Sequence, residues 1–459
     1  MVQIDNEYPD VKATVIAFGS CHATKKVKPN RPNIWDAISK LEPDAFIWTG
    51  DTVYTGEKGV SGLDSLKQEY EKTLHNETFG YVNFLNDAHT KGYLKGGIHG
   101  TWDDHDYGAN DHGTQMSEKK ERQNLFLDFL GVADEDKERR ENRNGVYSSI
   151  TFGEAPQKVK VVLLDTRHSR DKHCIPSVGA TPLPFGLGSA FACLTRYFSS
   201  ALSMQNWISK CKNGKVLSDE QWTWLEDQIQ NTDAQVNIVV SSIQVLSSNP
   251  MMETWGQFPN ERTKLLKLLN SLDEGKSVVL LSGDVHHAEI ADSSAKVRKS
   301  MGRLIEVTSS GLTHTCTDPF YGFLCSPILK KWSDHRFRNQ METNFYTGKN
   351  FGSIEINWAN DSDEGAESEM KINVHDALGR PVLTTGSLPI SSYESHFDAR
   401  QIREIPSPID GHLVEPAARL FSALFLILVS LFLKKFLFQK AFDEQRARKL
   451  KEEVKMKDD

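Results

Sequence analysis

Up to about residue 400 the chain alternates between short apolar runs and amphipathic stretches. The runs "ATVIAFG", "DAFIWTGD", "VKVVLLDTR", "VNIVVSSIQ", "SVVLLSGDVH" and "LIEVTSSG" are rich in Val, Ile and Leu and bounded by Gly or polar residues. Each predicts a buried strand. Helical periodicity fills the intervals. In "LSDEQWTWLEDQI" Ser218 is placed to cap, Gln221 follows three residues on, and Leu217 and Trp222 are set as a hydrophobic staple; Trp222, Leu225 and Ile229 share one face. "NERTKLLKLLNSL" predicts a second amphipathic helix, and "FGSIEINW" with "EMKINVHD" predicts paired strands around the acidic turn "ANDSDEGAE". Strands alternating with helices point to packed α/β layers.

The strands end alike, in Gly-Ser-Cys, Gly-Asp, Asp-Thr-Arg, Ser-Ser-Ile-Gln, Gly-Asp-Val-His and Thr-Ser-Ser-Gly. Ligands of open α/β sheets bind at the carboxyl ends of strands, so these segments are expected to converge on one rim. Two stretches break the rhythm. Residues 172–214 and 313–349 are weakly periodic and rich in Pro, Gly, Ser and aromatics, which predicts loop-rich insertions near the rim of a domain spanning 11–400. They hold Cys174, Cys193, Cys211, Cys316 and Cys325, all the cysteines but Cys21. Residues 401–416 read as a Pro-spaced linker. Residues 417–438 are apolar enough to span a bilayer as a helix if Arg419, Lys434 and Lys435 snorkel, and 439–459 form a charged tail.

Composition narrows the class. With 459 residues, 38% hydrophobic and 25% charged, the chain can bury a substantial core and is neither disordered nor fibrous. A net charge of -8 with no basic cluster before its C-terminal end argues against nucleic acid as the main partner. The start lacks the basic and apolar regions of a secretory signal, which leaves an incomplete start or a tail-anchored protein with a cytosolic domain. Lys434, Lys435, Lys440, Arg446, Arg448 and Lys449 follow the apolar run, an arrangement that puts the tail in the cytosol and the domain in a lumen. Lys455 and Lys457 stand at the spacing of a dilysine retrieval signal, and Asn76 and Asn360 lie in glycosylation sequons. The expectation is a single-pass protein of the endoplasmic reticulum with its domain lumenal.

The densest chemistry lies in "GTWDDHDYGANDHG", where Asp103, Asp104, Asp106 and Asp111 accompany His105 and His112. Carboxylate and imidazole bind hard and borderline metal ions. "FGSC" places Cys21 at the end of the first strand, where a lone Cys is more often a small buried hydrophobe than a ligand. "WTGDTVY" places Asp51 after a Gly and Tyr54 three residues later. In "LSGDVHHAE", Asp284 and His286 face one side if the strand continues through them. A paired metal centre needs a bridging carboxylate, further Asp and His ligands from several strand ends, and a nearby imidazole. This set supplies each part.

In that order, from about Val15 to Leu312, the segments "FGSC", "FIWTGDTVY", "TWDDHDYGANDHG", "LLDTRHSRD", "VVSSIQVL", "LLSGDVHHAEI" and "EVTSSGLTH" resemble the PhoD-like (alkaline phosphatase D-related) branch of the calcineurin-like metallophosphoesterases. Asp-Asp-His-Asp stands where the wider superfamily has Gly-Asn-His-Asp/Glu, and Gly-Asp-Val-His where it has Gly-His-x-His; both departures are typical of the branch. The resemblance implies an α/β layered sandwich of β-sheets flanked by helices, and metal-dependent hydrolysis of a phosphate mono- or diester. It implies that Asp51 bridges the metals, that Asp104, Asp284 and His286 complete the ligands, and that Cys21 and Tyr54 bind iron. Iron and calcium are the expected cofactors, with manganese or zinc as alternatives; a thiolate and a phenolate suit a trivalent ion better than magnesium. His105 would stand by the phosphate as general acid or oxyanion stabiliser. Arg167 is the candidate phosphate clamp, a structural ion pair being its other reading. Asp103, Asp106, Asp111 and His112 are left to supporting roles. The rival functions are a metal-binding protein of the same fold without turnover and a metal-dependent nuclease.

Overall fold

The computed structural model describes residues 6–390 apart from 29–32, 57–58, 175–186, 274–275, 294–303, 320–321, 333–343 and 360–366, together with Leu420, Ala423, Leu424, Ile427 and Leu431. Its strands, β1 to β14 in chain order, form two sheets. In the six-stranded sheet β2 (Val15–Gly19), β3 (Ala45–Thr49) and β4 (Ile98–Thr101) run parallel. Antiparallel β12 (Asn350–Asn357), β13 (Glu369–Asp376) and β14 (Pro381–Pro389) extend it from the β2 side. The eight-stranded sheet runs β1 (Asn6–Tyr8), β5 (Ser148–Phe152), β6 (Val159–Leu163), β7 (Val236–Val240), β8 (Ser277–Ser282), β10 (Ile305–Ser309), β9 (Ala288–Asp292), β11 (Phe345–Tyr346). Its centre, β6 to β8 and β10, is parallel.

Both faces of the central strands are apolar, so each sheet is covered on both sides. One face of each meets the other: Phe18, Ile47 and Ile354 share a core with Val161, Ile238, Val279 and Val307. On the far side of the eight-stranded sheet, Val162, Val239 and Leu280 pack under α9 (Asp219–Gln230) and α10 (Pro259–Leu269). On the far side of the other, Phe46 and Trp48 pack under α1 (Ile34–Ser39), α2 (Leu63–His75), α3 (Tyr81–Lys91) and α5 (Lys119–Phe129). The result is four layers, α/β/β/α. α9 begins as its sequence predicts: Ser218 Oγ accepts the Gln221 N–H at 3.0 Å, and Trp222, Leu225 and Ile229 are buried.

Two expectations change. The stretch 172–214 contains helices α6 (Leu187–Ala201), α7 (Met204–Trp207) and α8 (Ser209–Lys212), and 313–349 contains a 3₁₀ turn (Gly322–Leu324) and α11 (Cys325–Trp332). The first insertion is therefore helical over much of its length, and the second carries a shorter helical piece. A disulfide closes each: Cys174–Cys211 and Cys316–Cys325. The linker 401–416, the tail 439–459 and Asn360 lie outside the described residues, as does most of 417–438. Among the described residues no helix is long and apolar enough to cross a membrane.

The two sheets touch at their carboxyl ends. β2 and β10 continue into a parallel bridge between Ser20 and Ser310, and Gly283, just past β8, crosses the ends of β2 and β3. A Cβ on Gly283 would stand 2.5 Å from Ser20 Oγ and 2.6 Å from the Thr49 carbonyl. Gly283→Ala is therefore expected to cost about 1–3 kcal/mol in chemical denaturation and to weaken metal binding, because it pushes the two rims apart. An unchanged denaturation midpoint would contradict this packing.

Candidate metal centre

Four loops leave these strand ends and bring their side chains together at the junction. Cys21 follows β2 and Asp51 follows β3; Asp104 and His105 open α4 (Asp104–Tyr107), the short helix after β4; Asp284 and His286 follow β8. Tyr54 Oη donates to Asp51 Oδ2 at 2.5 Å and lies 3.1 Å from His286 Nε2. Cys21 Sγ is 3.6 Å from the same carboxylate oxygen. Ligand atoms of Cys21, Asp51 and His286 lie within 4.8 Å of one another, and so do those of Asp51, Asp103, Asp104 and Asp284. Asp51 belongs to both groups, the position a bridging carboxylate requires.

Asp284 and His286 reach the site by a different route from the one their alternation predicts. β8 stops at Ser282, and both residues adopt left-handed backbone, with φ of 70° and 57°. Cys21 and Asp51 do the same, with φ of 62° and 50°. Such conformations cost non-glycine residues about 1–3 kcal/mol each and gather at functional sites. Four of the six expected ligands carry this strain. Gly50, with φ of 106°, lets the chain turn ahead of Asp51.

The electrostatics call for protons or cations in the site. Burial, then the neighbouring Asp104, Cys21 and Asp103, hold the Asp51 carboxyl well above the usual range. Burial does the same to Asp284 and pushes the Cys21 thiol up to about 11. For Asp104 burial also pulls upward, but His105 and Arg167 outweigh it and its pKa is lowered. Asp104 Oδ2 accepts the Asp111 N–H at 2.8 Å, while its buried Oδ1 and Asp103 Oδ2 have no hydrogen-bond partner. Orphaned buried carboxylate oxygens are rare without a ligand to satisfy them. Carboxylate and imidazole are donor types that could hold a metal ion here.

The remaining residues frame the centre. His105 is about one-third exposed (34% for its side chain) and stacks on Tyr54 with ring centroids 4.1 Å apart. Its backbone N–H donates to Asp51 Oδ1 at 3.2 Å, and desolvation lowers its imidazole pKa, favouring the neutral ring. Asp106 fixes the loop by accepting from the backbone of Thr52, Val53 and Asp103. Trp102 and Tyr107 pack edge-to-face behind it. The sequence reading passed over His314, whose ring lies 4.8 Å from Tyr54 and 4.4 Å from His286. The segment "EVTSSGLTH" was the available signal.

Arg167 is placed as a buried ion pair rather than a free clamp. It is fully buried, with Nε on Asp103 and Nη1 2.9 Å from Glu253 Oε1. Arg170 Nη1 and His173 Nε2 reach the same Glu253 oxygen at 2.6 and 3.0 Å. The guanidinium that lines the cavity over the metal ligands is Arg196, from α6, whose Nη1 lies 2.8 Å from Asp111 Oδ2. Sequence reasoning missed it because Arg196 belongs to an insertion outside the recognised segments. The cavity holds about 420 Å³, and Asp51, Asp104, His105, Asp284 and His286 lie along it.

Two outcomes follow from these placements. Arg167→Met strands Asp103 and Glu253 and is expected to cost about 3–5 kcal/mol in denaturation; a clamp would instead raise KM and leave stability alone. In the chelated protein the acids held above their usual range are stabilising when protonated. That contribution is full below about pH 4 and lost as pH rises through the folded values, for Asp103 about 7. The melting temperature of chelated protein should therefore fall from acid to neutral pH, while that of metal-loaded protein holds; parallel pH profiles for the two forms would refute the account.

No curated protein matches the chain significantly. Among solved structures it is similar to one described as the structure of PhoD, at 16% identity over 89% of this chain and 78% of that one, with a TM-score of 0.46. It is also similar to GAP50, described as the anchor in the inner membrane complex of Plasmodium, at 12% identity over 86% of this chain and 96% of that one, with a TM-score of 0.37. The family model described as PhoD-like phosphatase matches residues 16–365. The chain belongs to the PhoD-like phosphatase family.

Proposed function

We propose that the protein hydrolyses a phosphate ester at a centre held by Cys21, Asp51, Tyr54, Asp104, Asp284 and His286, with iron and calcium as the ions. The observation that carries this reading is that these six residues, from distant parts of the chain, surround the shared carboxylate of Asp51 at the floor of a cavity. Bound there, the ions supply positive charge to the phosphate oxygens and acidify a water.

The side chains divide the remaining work. Asp51 orients both halves of the centre, and the Cys21 thiol and Tyr54 phenol give one half its preference for a trivalent ion. His105, neutral and partly exposed, lines the cavity and stabilises charge on a phosphoryl oxygen rather than delivering a proton as imidazolium. Arg196 takes the clamping role expected of Arg167. Asp111, which both pairs with Arg196 and donates its N–H to Asp104, ties the clamp to the centre. We also propose that the domain works in an oxidising lumen, which two disulfides and an exposed Asn76 favour. The membrane span at 417–438 rests on its apolar sequence alone.

The test is a screen of aryl phosphate mono- and diesters with protein loaded with iron, calcium, manganese or zinc. Turnover is expected in at least one combination, and its absence in all of them would end the proposal. His105→Ala should lower kcat about 10²- to 10⁴-fold with metal content unchanged by elemental analysis. Asp51→Asn should lose metal and activity together. Arg196→Met should lower kcat/KM about 10- to 100-fold, the worth of a hydrogen bond to a charged group, with most of the loss in KM.

A further inference from the structure

The proposed phosphoesterase accounts for only one wall of the cavity. Besides the acids and imidazoles, the 420 Å³ space is lined by apolar side chains, among them Ala190, Leu194, Met251, Leu324 and Ile328. A volume of that size accommodates a whole drug-sized ligand, far more than a phosphoryl group fills. Four of them come from the two insertions. Ala190 and Leu194 lie one turn apart on α6, and Leu324 and Ile328 are similarly spaced on the 3₁₀ turn and α11.

This wall is fixed to the metal ligands. The Cys316 N–H donates to the His286 carbonyl at 2.7 Å, and the Cys316–Cys325 disulfide then holds the first residue of α11. On the other side, Arg196 of α6 donates through Nε to the Met251 carbonyl at 2.9 Å and pairs with Asp111. The apolar surface also continues outward. Leu194 and Leu324 line the cavity yet remain exposed (38% and 45%), so they stand at its mouth. Phe191, Trp207 and Phe323, on the same insertions, are exposed as well. Isolated exposed apolar residues need no explanation, but a set concentrated on the elements around one cavity does.

Resting on that phosphoesterase reading, we infer that the substrate is the phosphate ester of an amphiphile: a phosphate esterified to an extended alkyl chain, with the chain lying along α6 and α11. Water adds to phosphorus, the bond from phosphorus to the ester oxygen breaks, and that oxygen leaves with a proton. The apolar wall contributes by removing the chain from water, a gain that grows with each methylene it covers.

The experiment uses metal-loaded full-length protein and two series, n-alkyl phosphates and n-alkyl 4-nitrophenyl phosphodiesters, from methyl to octyl and below micelle-forming concentrations. In at least one series kcat/KM is expected to rise about three- to fourfold per methylene until the cavity is filled. Ile328→Asn and Leu194→Asn should each lower the octyl-to-methyl ratio at least tenfold, whereas Val60→Asn, exposed elsewhere on the surface, should leave the ratio unchanged. Hydrolysis that is independent of chain length in both series would overturn this inference and leave the phosphoesterase standing. No hydrolysis of any ester, short or long, would overturn both.

Discussion

The structure depends on a concentration of negative charge that the protein's own side chains do not balance. Asp51, Asp103, Asp104 and Asp284 place carboxylate oxygens within 4.8 Å of one another in a buried site. Two unit charges at that separation repel by about 3–4 kcal/mol at an effective dielectric constant of about 20. Even with Arg167 offsetting Asp103, the other three form three repelling pairs, and their sum rivals the whole stability of a domain, about 5–15 kcal/mol. Either protons or cations must occupy the site. The raised pKa of Asp51, Asp284 and Cys21 is the proton answer; the geometry of the donors is arranged for the cation one.

That constraint explains the architecture around it. Bringing a thiol and a phenol from one sheet to within reach of a carboxylate and an imidazole from the other requires the two sheets to meet at their carboxyl ends. The Ser20–Ser310 bridge and Gly283 are where they do. The bridge is itself part of the site: Ser310 Oγ lies 3.0 Å from Cys21 Sγ and accepts the His286 N–H at 2.8 Å. One hydroxyl thus holds a ligand from each sheet. The left-handed backbone at Cys21, Asp51, Asp284 and His286 is the local cost of aiming side chains inward from strand ends that would otherwise splay.

Much of this was legible because burial leaves a strong mark. The six central strands read directly from their Val- and Ile-rich runs, and α9 from its Ser218 cap and its Trp222, Leu225, Ile229 stripe. The ligands were legible as chemistry-bearing residues at strand ends. What the sequence hid was anything set by tertiary pairing. Short edge strands such as β1 and β11 have too few residues to show a period. Arg167, in the loop four residues past the end of β6, reads as a clamp until Asp103 and Glu253 are seen to enclose it. Arg196 sits in an insertion with no motif, and only the fold carries it to the cavity. Asp284 and His286 were read as extended because alternation is the default after a strand, and positive φ at a non-glycine residue has no sequence signature.

Side-chain charge also separates two clusters that distance alone would confuse. Asp111, His173 and Glu253 approach one another as closely as the ligands do, and on spacing they qualify as a metal site. Their surroundings decide otherwise. Arg167 and Arg170 both engage Glu253, and Arg196 engages Asp111, so this cluster carries its own cations, and an added metal ion would meet guanidinium at each approach. No lysine or arginine pairs with Asp51 or Asp284 among the described ion pairs. The first cluster is closed by internal charge and buttresses Asp103 and the Asp111 loop that supports Asp104. The second is left open to ions from solution. The same residue types therefore form a charge-neutralised scaffold on one side of Asp103 and an acidic cluster without paired arginines at Asp51 and Asp284 on the other.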